Sequence, residues 1–516
     1  MLKKHIYISY IFLILAAFFG VIYAMQLLGI AIDIIRPDIT RSLHISLMLY
    51  GFIPLMLSIL PFALFDKDKV LTLESLAFLE KYFIVWYVFL IFMILALLAG
   101  NSRSLPFYDF PYALNGILAF AGLFYILAIL KSINIYTVKP LWVKVSFFLV
   151  VVSPFILLFL MNPRYGQVEK TLIGPHGDNT LGMSFALVAI YYLAIKLASN
   201  MKNFQTKWHA LWIIPLVFYF ISVFYRSFIG ELSYNAEWFF QYLTLLYIPL
   251  FYRWWKDAGL SLKTNATLFA SIGAFLLVDI EGNIIFIPQL RALFHRNDLI
   301  IGHAHIAMGI GVLFLALSII ESYVKFSKAV RYGLPVLLTL MAIVLSISGF
   351  SQASFMFWST QEMWQWRAAF GVMILGLLLF WSPYFEKARL IDAFNTLTPI
   401  KLYHLIAFAS DGIGGLILLF FGEWLFCILG QHFYGYYQYI VFGFVSAVGI
   451  AHIMGYIYEE YAHSLALSTS IIRIVVAGGF FSLYRANILD WIAVAVAIVD
   501  LGLALIYLLG IKQLLK

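Results

Sequence analysis

Apolar stretches follow one another from end to end of the chain, separated by short turns that hold most of its charge. A helix needs about 20 such residues to cross the hydrocarbon core of a bilayer. On that measure the pattern predicts about 16 helices, near residues 6–34, 42–66, 82–100, 111–132, 140–162, 177–199, 208–228, 237–256, 263–288, 300–324, 329–350, 364–384, 402–428, 436–458, 463–484 and 488–512. The first run is too long for a secretory leader and has no small-residue cleavage site, so it reads as a retained helix. No polar segment is long enough for a soluble domain. The expected fold class is therefore an all-α polytopic membrane protein. A polar linker at 386–400, carrying Pro399, divides it into a twelve-helix domain (1–390) and a four-helix domain (391–516).

Composition adds exclusions. The chain has 516 residues, 64% hydrophobic and 11% charged, and a soluble fold of that make-up would expose far too much apolar surface. Membrane lipid is thus a partner, whereas a net charge of +8 spread over short loops gives nucleic acid nothing to bind. Cys427 is the single cysteine, which excludes an intramolecular disulfide, cysteine-ligated iron–sulfur or zinc sites, and a Cys-x-x-Cys-His attachment for c-type haem.

With the predicted turns, 22 Lys and Arg fall on the side of the N-terminus and 10 on the other. The positive-inside rule then places both termini in the cytoplasm of a bacterial or archaeal plasma (inner) membrane. Nine of the outer ten are Arg, the residue suited to bidentate contacts with anions such as haem propionates.

Histidine carries the candidate chemistry. His303 and His305 stand two residues apart at the outer start of the tenth predicted helix, and at 3.6 residues per turn they point about 200° apart. One helix then presents a metal ligand on each side. His44 and His176, at the outer starts of the second and sixth helices, share that membrane depth. Neutral imidazoles from facing helices can clamp a six-coordinate haem, and a further imidazole can hold a second haem from one side. His5, His209, His404 and His463 fall at the cytoplasmic side and are expected to be interfacial. His432 and His452 have no evident partner in the sequence.

The segment Asp298-Leu-Ile-Ile-Gly-His-Ala-His305 resembles the tenth-helix motif of haem–copper oxidase subunit I, especially the cbb3-type branch. Asp279-Ile-Glu-Gly282, Leu293-Phe-His295, Arg41-Ser-Leu-His44, Gly174-Pro-His-Gly-Asp-Asn179 and Trp364-Gln-Trp-Arg367 are similar to other stretches of that family. The likeness covers about residues 1–390 and implies twelve helices. It implies two haems of b type: His44 and His305 on a low-spin haem, His303 as proximal ligand of a high-spin one. It further implies His176 as a copper ligand, with His295, Arg41 and Arg367 near propionates and Glu281 on a polar or proton path. The implied activity is reduction of O2 or NO, with electrons from cytochrome c or quinol supplied through another subunit.

The chain departs from the family at the seventh helix, where two adjacent histidines normally bind copper. Here Val223 to Trp238 contains none. Asp178 and Glu231 can complete an oxygen-rich site with His176, which suits non-haem iron better than copper. Tyr225 and Tyr234 are candidates for a redox tyrosine. Two alternatives stay open: a non-catalytic haem protein for electron transfer or gas sensing, and a transporter without haem. The rear helices loosely resemble small DoxX-like membrane modules. Asp411, Glu423, His452, Glu459, Glu460, His463 and Arg473 lie there, and Arg473 is expected to pair with Asp411 or Glu423; no function follows.

Overall fold

The computed structural model describes residues 2–133 (without 31, 33 and 104–107), 177–199, 210–285, 287–294, 297–354, 359–380 and 398–511 (without 487), with a few isolated positions between. The predicted helix at 140–162, His176, His209 and His295 lie outside these residues. The described chain is helical throughout, with no strand, and eleven of its helices are long and apolar enough to cross a membrane. The protein is an all-α polytopic membrane protein. It forms two compact units, one of residues 1–28 and 37–384 and one of 29–36 and 385–516.

In the first unit α1 runs Leu2–Leu27, α2 Pro37–Lys67, α3 Leu73–Leu98, α4 Tyr112–Ile133, α5 Gly177–Ala198 and α6 Ala210–Phe228. Then α7 joins Tyr234–Tyr242 to Tyr247–Asp257 through one tight turn, and α8 covers Ala266–Ile285. A short α9 (Pro288–Phe294) leads to α10 (Asp298–Ile320), α11 (Ala329–Gln352) and α12 (Thr360–Phe380). In the second unit, α13 spans Pro399–Ile428, α14 Tyr436–Ile457, α15 Glu459–Arg485 and α16 Trp491–Gly510.

The outer faces show why these helices belong in lipid. On α3, Leu79, Tyr82, Phe83, Phe89, Leu90, Met93 and Leu97 are buried, while Ile84, Val88, Ile91, Phe92 and Leu95 are exposed. Both faces are apolar, and only hydrocarbon is a good solvent for the second. Polar side chains close the ends. Thr72 accepts from the Ser75 backbone N–H at 3.1 Å and caps α3, and Ser75 Oγ donates to the Ala128 carbonyl of α4.

Three helices of the first unit are widened by π-helical turns, α2 at Leu47–Phe52, α10 at His305–Val312 and α11 at Ala329–Gly333. Such turns free backbone carbonyls, which need donors inside a membrane. Trp86 Nε1 donates to the Tyr50 carbonyl at 2.7 Å, and Ser271 Oγ donates to the Gly311 carbonyl. The α10 turn begins at His305 and the α2 turn three residues after His44.

Candidate functional site

The start of α10 is held by a polar seat. Asn297 caps the helix through the Leu299 N–H at 3.0 Å and donates from Nδ2 to the Gly349 carbonyl of α11 at 2.9 Å. The buried Asp298 carboxylate accepts from Ser348, from Gln352 Nε2 at 2.9 Å and from Trp364 Nε1 at 2.7 Å. Its own N–H donates to Gln352 Oε1. Three donors on α11 and α12 thus fix the first turn of the helix that carries both histidines.

The two histidines of α10 meet different helices. His303 donates from Nδ1 to Glu281 Oε2 on α8 at 3.1 Å when its ring is neutral, and Gly282 lies under the ring. His305 donates from Nδ1 to the Ile301 carbonyl one turn back, at 2.7 Å. Its ring centroid lies 6.3 Å from that of His44, with the planes 22° apart.

His44 donates from Nδ1 to the Ala16 carbonyl of α1 at 2.8 Å. Gly20, one turn on from Ala16, lets the ring lie against α1: a Cβ at that position would stand 2.7 Å from His44 Nδ1. A carbonyl only accepts, so both His44 and His305 carry their proton on Nδ1 and keep the Nε2 lone pair free. Both rings are half-buried.

Arg367 is buried over the Tyr23 ring, 5.6 Å from its centroid, and its charge acts on His44, His305 and Asp298. Arg41 sits one turn before His44 and lies 3.6 Å from Asp109, which also accepts from Ser42 Oγ at 3.2 Å. Asp109 lies in the loop between α3 and α4. Burial raises its pKa above the ordinary carboxylate value, although Arg41, Ser42 and Arg103 all pull the other way.

The remaining candidates stand apart from this cluster. Tyr225, near the end of α6, and Glu231, in the turn before α7, are exposed and make no bond to the histidines. Asp178 is in the first turn of α5, and its side chain is outside the described residues, as are His176 and His295. Among the described residues no group of three His, Cys, Asp or Glu is placed to hold a metal ion. Ala16, Gly20 and the partners of Asp298 escaped sequence reasoning. Asn297 and Asp298 ahead of an apolar run were the available signal for the seat.

Three histidines expected at the interface or without partners are placed otherwise. His5 is buried, stacked on Phe83 at 4.2 Å and bonded to Tyr87 Oη at 3.0 Å, because aromatic rings of α3 cover it. His404 is fully buried, and its Nδ1 lies 3.0 Å from Nδ1 of His452, whose partner was not evident from sequence. Arg473 pairs with Asp411, as one of the two expected options, and also with Asp500 of α16, which sequence reading overlooked.

No known family model matches the sequence, and comparison with curated proteins gives no match either.

Proposed function

We propose that the first unit is a haem-bearing respiratory subunit of the haem–copper oxidase type, reducing O2 or NO with electrons from cytochrome c or quinol. The single observation that carries this reading is the facing of His44 and His305. Two iron–nitrogen bonds of about 2 Å each, added to the half-widths of two imidazole rings, span roughly 6 Å. The 6.3 Å between the ring centroids is in keeping with that span, and each ring has one nitrogen pinned and one lone pair free. The residues therefore fit a six-coordinate haem b.

His303 would hold a second haem. Its Nδ1 faces the Glu281 carboxylate, the arrangement that fixes a tautomer and raises the basicity of Nε2. Haem bound there would supply one-electron chemistry and a seat for a diatomic ligand. The chain itself orients the ligands. Ala16 and Gly20 set the His44 ring, the Asp298 seat fixes α10, and Arg367 with Arg41 supplies positive charge for propionates. Lys and Arg counts favour cytoplasmic termini, which puts this cluster towards the outer leaflet.

His44→Ala and His305→Ala are expected each to abolish the six-coordinate optical spectrum while leaving the signal of the His303 haem. An unchanged spectrum in both variants excludes the assignment. A second reading, haem used for electron transfer or gas sensing without turnover, is favoured by the lack of histidine from Val223 to Trp238. Metal analysis separates the two: copper or extra iron beside haem supports reduction of the gas, and haem iron alone supports the second reading.

A further inference from the structure

The second unit buries a line of ionisable groups to which all four of its membrane helices contribute. His404 and Asp411 come from α13, His452 from α14, Arg473 from α15 and Asp500 from α16. His404 and His452 are completely buried, Arg473 is 4% exposed and Asp411 6%. Groups of this kind are rare within membranes, where each needs a partner.

Hydrogen-bond bookkeeping fixes most of the protons. His404 Nε2 lies 2.8 Å from the Ala462 carbonyl, which only accepts, so that nitrogen carries a hydrogen. In a neutral ring His404 Nδ1 is then an acceptor, and the hydrogen between the two rings, 3.0 Å long, belongs to His452 Nδ1. His452 Nε2 is left buried and facing Asp411 Oδ2 at 3.5 Å. Without one more proton, a lone pair faces a carboxylate. The charges ask for the same proton. Asp411 and Asp500 share one guanidinium, which leaves the cluster at minus one in an apolar interior.

We propose that His452 and Asp411 form a membrane-buried proton-binding site, occupied by a single proton taken from water by the His452 Nε2 lone pair and shared with the Asp411 carboxylate. Uptake converts the ring to an imidazolium that donates to His404 on one side and to Asp411 on the other, and brings the cluster to neutrality. No electron moves and no other bond breaks. Arg473 and Asp500 set the charge that the proton meets, and His404 anchors the chain to the α15 backbone.

The packing leaves little slack. Gly455 stands against the His404 ring and Gly449 against Gly412, where side chains would collide. The other titratable groups of the surroundings are Tyr403, edge-on to both rings, Glu423 further along α13, and His463 on α15, whose charge acts on His404. Tyr507 of α16 donates to the His463 carbonyl at 2.9 Å. Lys401 and Glu459 pair with each other at 3.0 Å at the exposed end.

The test is nitrogen NMR of the full chain, labelled with 15N-histidine in phosphatidylcholine–phosphatidylglycerol nanodiscs, between about pH 5 and about pH 9. His452→Gln assigns the signal. The expected result is an imidazolium at His452 that gives up one proton as pH rises. Asp411→Asn should weaken its proton affinity by about tenfold or more, and Arg473→Gln should strengthen it by a similar factor. These opposite shifts distinguish a proton site from a merely structural ion pair. A His452 ring that stays neutral over the whole range in the unmodified chain overturns the proposal, whatever the variants do. So does a titration that moves in the same direction in both variants.

Discussion

His44 and His305 each commit one ring nitrogen to a backbone carbonyl, and so neither ring is free to turn away from the other. His303 differs, because its Nδ1 partner is a carboxylate. A hydrogen bond from imidazole to an ionised acceptor makes the opposite nitrogen more electron-rich than a carbonyl does. On the proposed reading Glu281 is therefore a positioning and tuning residue. Glu281→Gln should raise the reduction potential of the His303 haem and leave that of the His44–His305 haem in place, as read by redox titration of the visible bands. Equal potentials in variant and parent contradict that role. The histidines were legible because imidazole stands out in an apolar run and a two-residue spacing sends two of them to opposite sides. The contacts behind them were not. Ala16 and Gly20 look like any small residues in a membrane helix, and only the approach of α2 gives them meaning.

Among the elements, α10 carries two of the three proposed haem ligands and is closely seated on α11. Gly302 and Gly349 make its contact with α11: a Cβ on Gly349 would meet the Leu299 backbone nitrogen at 2.5 Å, and one on Gly302 the Ala342 carbonyl at 2.9 Å. Backbone cannot yield as a flexible side chain does, so Gly349→Ala should cost about 1–3 kcal/mol. Because His303 and His305 follow within two turns of that contact, both haem spectra should shift along with the fall in melting temperature. Lost stability with unaltered spectra would mean that the first turn of α10 does not set ligand geometry. Among the described residues most helix ends were readable from hydropathy to within about five residues, since lipid demands long apolar runs, but α3 begins at Leu73 where 82 was expected and α1 ends at Leu27 where 34 was expected. The π-helical turns were not, because they answer to tertiary partners such as Trp86 and Ser271 rather than to local composition. Asp500 was overlooked for a related reason. A lone acid in the apolar run of α16 is one unexplained charge until Arg473 of α15 is seen beside it.

At the scale of the whole molecule, the described helices turn apolar side chains outward as well as inward, and their polar groups gather at a few interior points. The first unit gathers imidazoles, a carboxylate behind one of them and two arginines. The second gathers imidazoles, carboxylates and one guanidinium. Apolar bulk that only a bilayer can dissolve surrounds both, which is why the membrane class was evident from composition while the chemistry depended on a handful of positions. The central claim is that the imidazoles of the first unit hold iron–porphyrin, and pyridine haemochrome analysis of the purified full-length chain addresses it directly. Two b-type haems per chain are predicted; a colourless protein purified from haem-replete cells would contradict the account.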